Sequence, residues 1–173
     1  DGRRLLLLQS ETAGPATLKL MAAQRETPQS IADFREAGTL TGSEAVVPDA
    51  GSWGFGGCMA VVANTFHVAW TGPHGIQFTQ ATWQGEKFTW DRARHALEGD
   101  YWLGDFLALR GQLVLTWHQI HDRQDESVGI GWFDGKWRER EIWRGKPMFA
   151  PVADVDDQGR LHLIWSDAAE QLF

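Results

Sequence analysis

The residues best suited to chemistry lie in one short stretch, His118-Gln-Ile-His121-Asp122. Two imidazoles three residues apart, with a carboxylate beside the second, have the composition of a metal site or an acid–base pair. The spacing matches no closed metal motif, and residues 118–127 read as a polar loop, so the expectation is two solvated histidines and no metal or cofactor. Asp154-Val-Asp156-Asp157-Gln-Gly159 has the opening spacing of a calcium loop. Trp165 stands where such a loop needs its bidentate Glu, and a hairpin turn is expected instead. Cys58 is the single cysteine, which excludes an intrachain disulfide and a cysteine-based metal site. It stands in an apolar run, Gly-Gly-Cys-Met-Ala-Val-Val, as a small core residue. No phosphate-cradling Walker loop or Gly-x-Ser-x-Gly elbow is present, and Gly54-Phe-Gly56-Gly57 is not followed by a helix.

These residues hang on a repeat. Asn64-Thr-Phe-His-Val-Ala-Trp70, Gly111-Gln-Leu-Val-Leu-Thr-Trp117 and Gly159-Arg-Leu-His-Leu-Ile-Trp165 each run from a turn residue through an apolar, β-branched stretch to a Trp. The Trp-to-Trp steps are 47 and 48 residues, in the period range of propeller blades. A weaker copy, Gly2-Arg-Arg-Leu-Leu-Leu-Leu8, opens the chain with Leu8 in the Trp position. Between successive copies the pattern predicts four short strands joined by tight turns, Asp134-Gly135 giving a two-residue hairpin signal. The expected fold is all-β: a β-propeller segment of about three four-stranded blades plus a partial one. The units run approximately over 2–63, 64–110, 111–158 and 159–173, within one domain of 1–173. Residues 31–36 suit either a third strand or a short helix capped by Ser30, and 38–57 read as a long loop.

Composition agrees and narrows the partners. Of 173 residues, 43% are hydrophobic, enough for a real core. Ten Trp against one Tyr suit layered sheets and also a sugar-binding surface. A net charge of −7, without a basic cluster, disfavours nucleic acid, whose binding rests on phosphate neutralisation. The apolar runs are far shorter than a membrane-spanning helix, and no signal peptide is evident.

Two phrases, Val128-Gly-Ile-Gly-Trp-Phe-Asp-Gly-Lys-Trp137 and Asp156-Asp157-Gln-Gly-Arg-Leu-His-Leu-Ile-Trp165, resemble the repeats of sialidase-like β-propellers. In that family a strand, an Asp/Gly-rich turn and a Trp recur in each blade. The resemblance covers residues 57–167 well and the first 56 weakly. The family's Asp-box, Ser-x-Asp-x-Gly-x-x-Trp, is reduced here to Asp134-Gly135-Lys136-Trp137. The resemblance implies an extracytoplasmic compartment and, for an active member, three arginines on a substrate carboxylate, a Tyr–Glu nucleophile pair and an acidic Asp. The Arg-Ile-Pro motif that carries the first arginine is missing. Tyr101, the one tyrosine, has Glu98 three residues before it, and its expected role is interblade packing. Arg3, Arg110 and Arg160 recur near the starts of the Trp strands, where solvated or salt-bridged roles are expected.

In an up-and-down meander successive turns alternate between the two ends of a sheet. The connections 10–16, 37–56, 71–75, 94–101, 118–127 and 144–149 therefore share one end, and Trp53, His74, Tyr101, Trp102, His118 and His121 gather there as candidate ligand- or partner-binding residues. Trp70, Trp117 and Trp165 are expected in the interblade core. Without a complete catalytic constellation, the function expected is a non-catalytic binding or scaffold module for a protein partner or glycan. The alternative is a sialidase-like glycoside hydrolase with catalytic residues partly outside this chain. Three units leave a ring open, so a longer chain, further copies or a partner would complete it.

Overall fold

A computed structural model describes residues 6–11, 17–24, 27–40, 57–63, 65–72, 74–84, 88–122, 125–147 and 150–167. The strands form four antiparallel sheets in chain order. The first holds β1 (Leu6–Glu11), β2 (Thr17–Ala23) and β3 (Phe34–Leu40), in the order β1-β2-β3. The second holds β4 (Cys58–Val62), β5 (Thr65–Gly72) and β6 (Gly75–Trp83), with β7 (Phe88–Trp90) and β8 (Arg94–Glu98) both pairing along β6. Those last two are one outer strand, interrupted at Asp91–Ala93. The third holds β9 (Tyr101–Leu109), β10 (Gln112–Ile120), β11 (Glu126–Phe133) and β12 (Trp137–Gly145). The fourth starts with β13 (Val152–Val155) and β14 (Leu161–Ile164). A single 3-10 turn, Ile31–Asp33, precedes β3. Both alternatives for 31–36 are thus realised in succession, and Asp33 Oδ2 closes the turn by accepting from the Gln29 and Ser30 amides.

Residue pattern explains the stacking. In β5, Val68 and Trp70 face the first sheet and join Ala22, Ala37, Ala81 and Phe88. Ala69 faces the other way, into a cluster with Ile76, Phe78, Leu103, Phe106, Leu115 and Trp117. A strand buried on both faces reads as a continuous apolar run, which is why the Trp phrases stand out in the sequence. Trp70 and Trp117 are 0% and 2% exposed, as expected of interblade core. β4 packs along β9, and β9 along β13, so the first strands of successive sheets adjoin. That is the radial arrangement of propeller blades, and the described sheets do not close into a ring.

The sheets begin one strand earlier than the units read from the sequence. Trp70 and Trp117 lie on the second strand of their sheets, β5 and β10, and Trp165 directly follows β14. Each sequence unit therefore straddles two sheets, because no recurring Trp marks the first strands β4, β9 and β13: Trp102 of β9 has no counterpart in the other two. Two turns differ in detail. Phe133 pairs with Trp137, so the Asp134 connection is three residues long rather than two, with Gly135 at φ +97°. A tight two-residue turn is found instead at Arg110-Gly111, both at positive φ, closing the pair Leu109–Gln112.

One irregularity ties three sheets together. β9 carries a bulge where the pairing passes from Leu115–Phe106 to Trp117–Leu103. At the bulge, Gly104 O accepts from Cys58 Sγ at 3.4 Å, and Asp105 Oδ2 accepts from Ala153 N of β13 at 2.6 Å. The Thr116 hydroxyl accepts from Asp105 N and donates to Pro151 O, both within 2.7 Å. A Cβ on Gly104 would stand 2.4 Å from Pro151 O, so only glycine allows this approach. The same device joins the second and third sheets, where the Thr71 hydroxyl accepts from Leu103 N at 2.9 Å.

Candidate functional site

The third sheet presents its reactive side chains on both faces of one end. β10 runs through Ile120, so His118 lies in a strand, and the polar loop expected over 118–127 shrinks to the turn between β10 and β11. Strand alternation then separates the two histidines. His118 pairs with Trp102 and Val128, whereas Gln119 pairs with Tyr101 and Ser127 on the opposite face.

On the first of these faces His118 Nε2 meets Glu126 Oε2 at 2.7 Å. The imidazole is only 12% exposed. Burial holds its pKa below the ordinary histidine value, and this outweighs the opposing pull of Glu126. At neutral pH His118 is therefore a neutral donor to the carboxylate. Trp102, half-buried, is its neighbour on β9, and Trp143 lies beyond Val128 on β12.

On the second face Tyr101 is buried, its ring edge-on to Trp117 with centroids 5.2 Å apart. Its hydroxyl donates to Glu139 Oε1 at 3.0 Å. Burial, followed by the Glu139 carboxylate, pushes the phenol well above its ordinary pKa. Glu98, the partner suggested by chain proximity, sits exposed on β8. A neutral tyrosine turned inward on Glu139 is poorly placed as a nucleophile, which agrees with the packing role expected of it.

Further along that face His121 Nε2 lies 2.9 Å from Ser127 Oγ. Ser127 also bonds the Glu141 carboxylate, which Arg144 grips through Nε at 3.1 Å and Nη2 at 2.6 Å. The Arg144 bond is the main reason Glu141 titrates below its ordinary value. Arg144 Nη1 continues to Asp125 at 2.8 Å. Serine, histidine and glutamate thus meet, but Ser127 is fully buried and the carboxylate sits on the serine rather than orienting the imidazole. The arrangement braces the β10–β11 turn and offers no accessible nucleophile. Among the described residues no three His, Cys, Asp or Glu side chains gather for a metal ion.

His74 is exposed in the β5–β6 turn, and its carbonyl accepts from Gly99 N at 3.1 Å, joining that turn to the one before Tyr101. His74, Tyr101, Trp102, His118 and His121 are accordingly brought to one end of the sheets, divided between two faces of the third sheet and a turn of the second. Trp53 lies outside the described residues. Arg110 and Arg160 sit at the opposite end: Arg110 Nη2 reaches Gln158 O at 3.4 Å, and Arg160 pairs with Asp156. Arg3 also lies outside the described residues.

Asp156 shows why its stretch is a turn. One carboxylate oxygen accepts from the Gln158 and Arg160 amides, the other from Arg160 Nε and His162 Nε2. The His162 bond leads the causes that hold this carboxyl far below its ordinary pKa. Sequence reasoning missed Glu126, Glu139 and Asp105. Only Asp105 had a local signal, the glycine before it inside an otherwise strand-like run.

No protein-family model matches the chain, and no curated protein matches it in sequence. Solved structures do. The GH43 endo-arabinanase of Bacillus licheniformis is similar over 100% of this chain and 69% of its own, with a TM-score of 0.52 and 14% identity. A Hadza microbial sialidase is similar over 90% of this chain and 36% of its own, with a TM-score of 0.55 and 15% identity. Both are β-propeller glycoside hydrolases, and at these identities the likeness is one of fold: this chain is an all-β propeller array, about three blades and part of another.

Proposed function

We propose that the chain is a non-catalytic β-propeller module that binds a protein partner or a glycan through the sheet end carrying His74, Tyr101, Trp102, His118 and His121. One observation carries the reading: the reactive groups at this end are engaged within the sheet. Tyr101 donates to Glu139, His118 to Glu126, and His121 meets a buried serine. Trp102, half-buried at the start of β9, supplies an indole suited to stacking on a sugar ring or anchoring a partner. Trp53 joins the proposal through its place in the sequence between β3 and β4. Calorimetric titration with arabino-oligosaccharides and sialyllactose, compared between wild type and Trp102→Ala, tests it. The expected result is binding that weakens about tenfold or more in a variant with unchanged circular dichroism. Equal binding by both proteins contradicts the reading.

The names of the two structural neighbours favour a second reading, a glycoside hydrolase whose catalytic residues lie partly outside this chain. Turnover of a polysaccharide or sialoside separates it from the first. For ring completion we look to the fourth sheet, where paired Val152 and Ile164 are 65% and 58% exposed. An apolar pair of that kind suits the approach of a further sheet from this or another chain.

A further inference from the structure

The connection between β11 and β12 sets an aspartate directly before a glycine. Asp134, Gly135 and Lys136 are all exposed, at the tip of the hairpin closed by the Phe133–Trp137 pair. Gly135 adopts φ +97°, and a Cβ built on it would meet nothing within 4 Å, so neither a side chain nor a neighbouring element shields its amide. Asp134 N donates to Lys136 O, whereas among the described residues no hydrogen bond engages Gly135 N. The Asp134 carboxylate has one partner among the described residues, Arg138 Nε at 2.5 Å. The two side chains of that pair are 51% and 35% exposed, so the pair is weak and opens readily.

The aspartate-rich turn before β14 is built the opposite way. Asp156 holds four donors: the Gln158 and Arg160 amides, Arg160 Nε and His162 Nε2. Its carboxyl cannot turn onto the next amide nitrogen without losing those bonds. Asp157 precedes the Gln158 amide, which is already committed to Asp156 Oδ1. Only the Asp134 connection combines a loosely held carboxyl with an open amide next to it.

We propose that Asp134-Gly135 is a site of spontaneous aspartate isomerisation, restrained by Arg138. When the ion pair opens, Gly135 N attacks Asp134 Cγ. The new N–C bond closes a five-membered succinimide, and one carboxyl oxygen leaves as water with the amide proton and the acid proton. Water then adds to the Asp134 main-chain carbonyl carbon, and the bond from that carbon to Gly135 N breaks. The backbone now runs through Cβ and Cγ as isoaspartate. One water is lost and one gained, and nothing is oxidised or reduced. The connection becomes one backbone atom longer between Phe133 and Trp137, the two rings that pack on Phe78 of the second sheet.

The test is to hold the whole chain near neutral pH at physiological temperature for several weeks, then map isoaspartate by tryptic digestion and electron-transfer fragmentation. Isoaspartate is expected at Asp134 at about ten times or more its level at Asp156 or Asp157, because hydrogen bonds worth severalfold each hold that other turn. Arg138→Gln should raise the rate at Asp134 about two- to fivefold, the scale of an exposed ion pair, and leave Asp156 unchanged. Arg138 is itself exposed, so circular dichroism should not change. Isoaspartate absent from Asp134, or spread equally over the three aspartates, would overturn the site. A rate at Asp134 indifferent to Arg138→Gln would overturn the restraint.

Discussion

Thr116→Val perturbs the joint between the third and fourth sheets with almost no change in shape. Thr116 is fully buried, and its one hydroxyl serves two partners: it accepts from Asp105 N and donates to Pro151 O. Valine fills the same volume but leaves a backbone donor and a backbone acceptor unanswered. Each orphaned group costs about 1–3 kcal/mol, and local relaxation removes part of that, so the expected loss is about 2–4 kcal/mol. Thr71→Val is the matched comparison. Its hydroxyl accepts from one backbone amide, Leu103 N, so about 1–2 kcal/mol is expected. Urea unfolding followed by Trp fluorescence gives both numbers, provided the slope with denaturant is unchanged, since a changed slope would mean two-state unfolding had broken down. A Thr116→Val protein within about 0.5 kcal/mol of wild type would refute the claim that this hydroxyl secures the joint.

The single tyrosine makes a second prediction readable by absorbance at 295 nm: Tyr101 should remain un-ionised through pH 10, where free tyrosine titrates. Its folded pKa is raised, so the folded state holds a proton that the unfolded state releases, and stability should fall as pH rises above about 10. Ionisation at the free value would show that the hydroxyl does not face Glu139. His118 makes the opposite case. Its folded pKa is depressed, so the unfolded state binds the proton more readily, and its contribution is lost as pH falls below about 6.5. NMR titration should show its ring protons shifting at lower pH than free histidine, and a His118 that titrates above 6.5 would contradict the burial argument. Native mass spectrometry should find a species heavier than one chain if the Val152–Ile164 face recruits a sheet from another chain, and a stable lone chain would contradict recruitment between chains.

How much of this was legible depends on where each signal lived. The Trp strands were visible because both faces of β5 and β10 are buried, leaving an unbroken apolar run with a Trp at fixed period. Sheet phase was hidden, since a first strand such as Val152-Ala-Asp-Val155 is short and carries no comparable mark. His118 read as loop because Trp-His-Gln-Ile-His looks polar; in the sheet the same letters alternate between two faces, which also forbids His118 and His121 from sharing a metal. The partners of Tyr101 and Asp105 lie 38 and 48 residues away, across the sheet and in the next one, where no local pattern reaches. The clustering of the candidate residues at one end followed from connectivity alone, and their inward hydrogen bonds did not.

The claim at the centre of this account is that the end face binds without chemistry. Its most direct test is to incubate the protein with arabinan and with a sialoside and follow release of free sugar. The account predicts no release above a blank. Release that Tyr101→Phe or His118→Gln abolishes, with circular dichroism unchanged, would contradict it and establish the end face as a catalytic site.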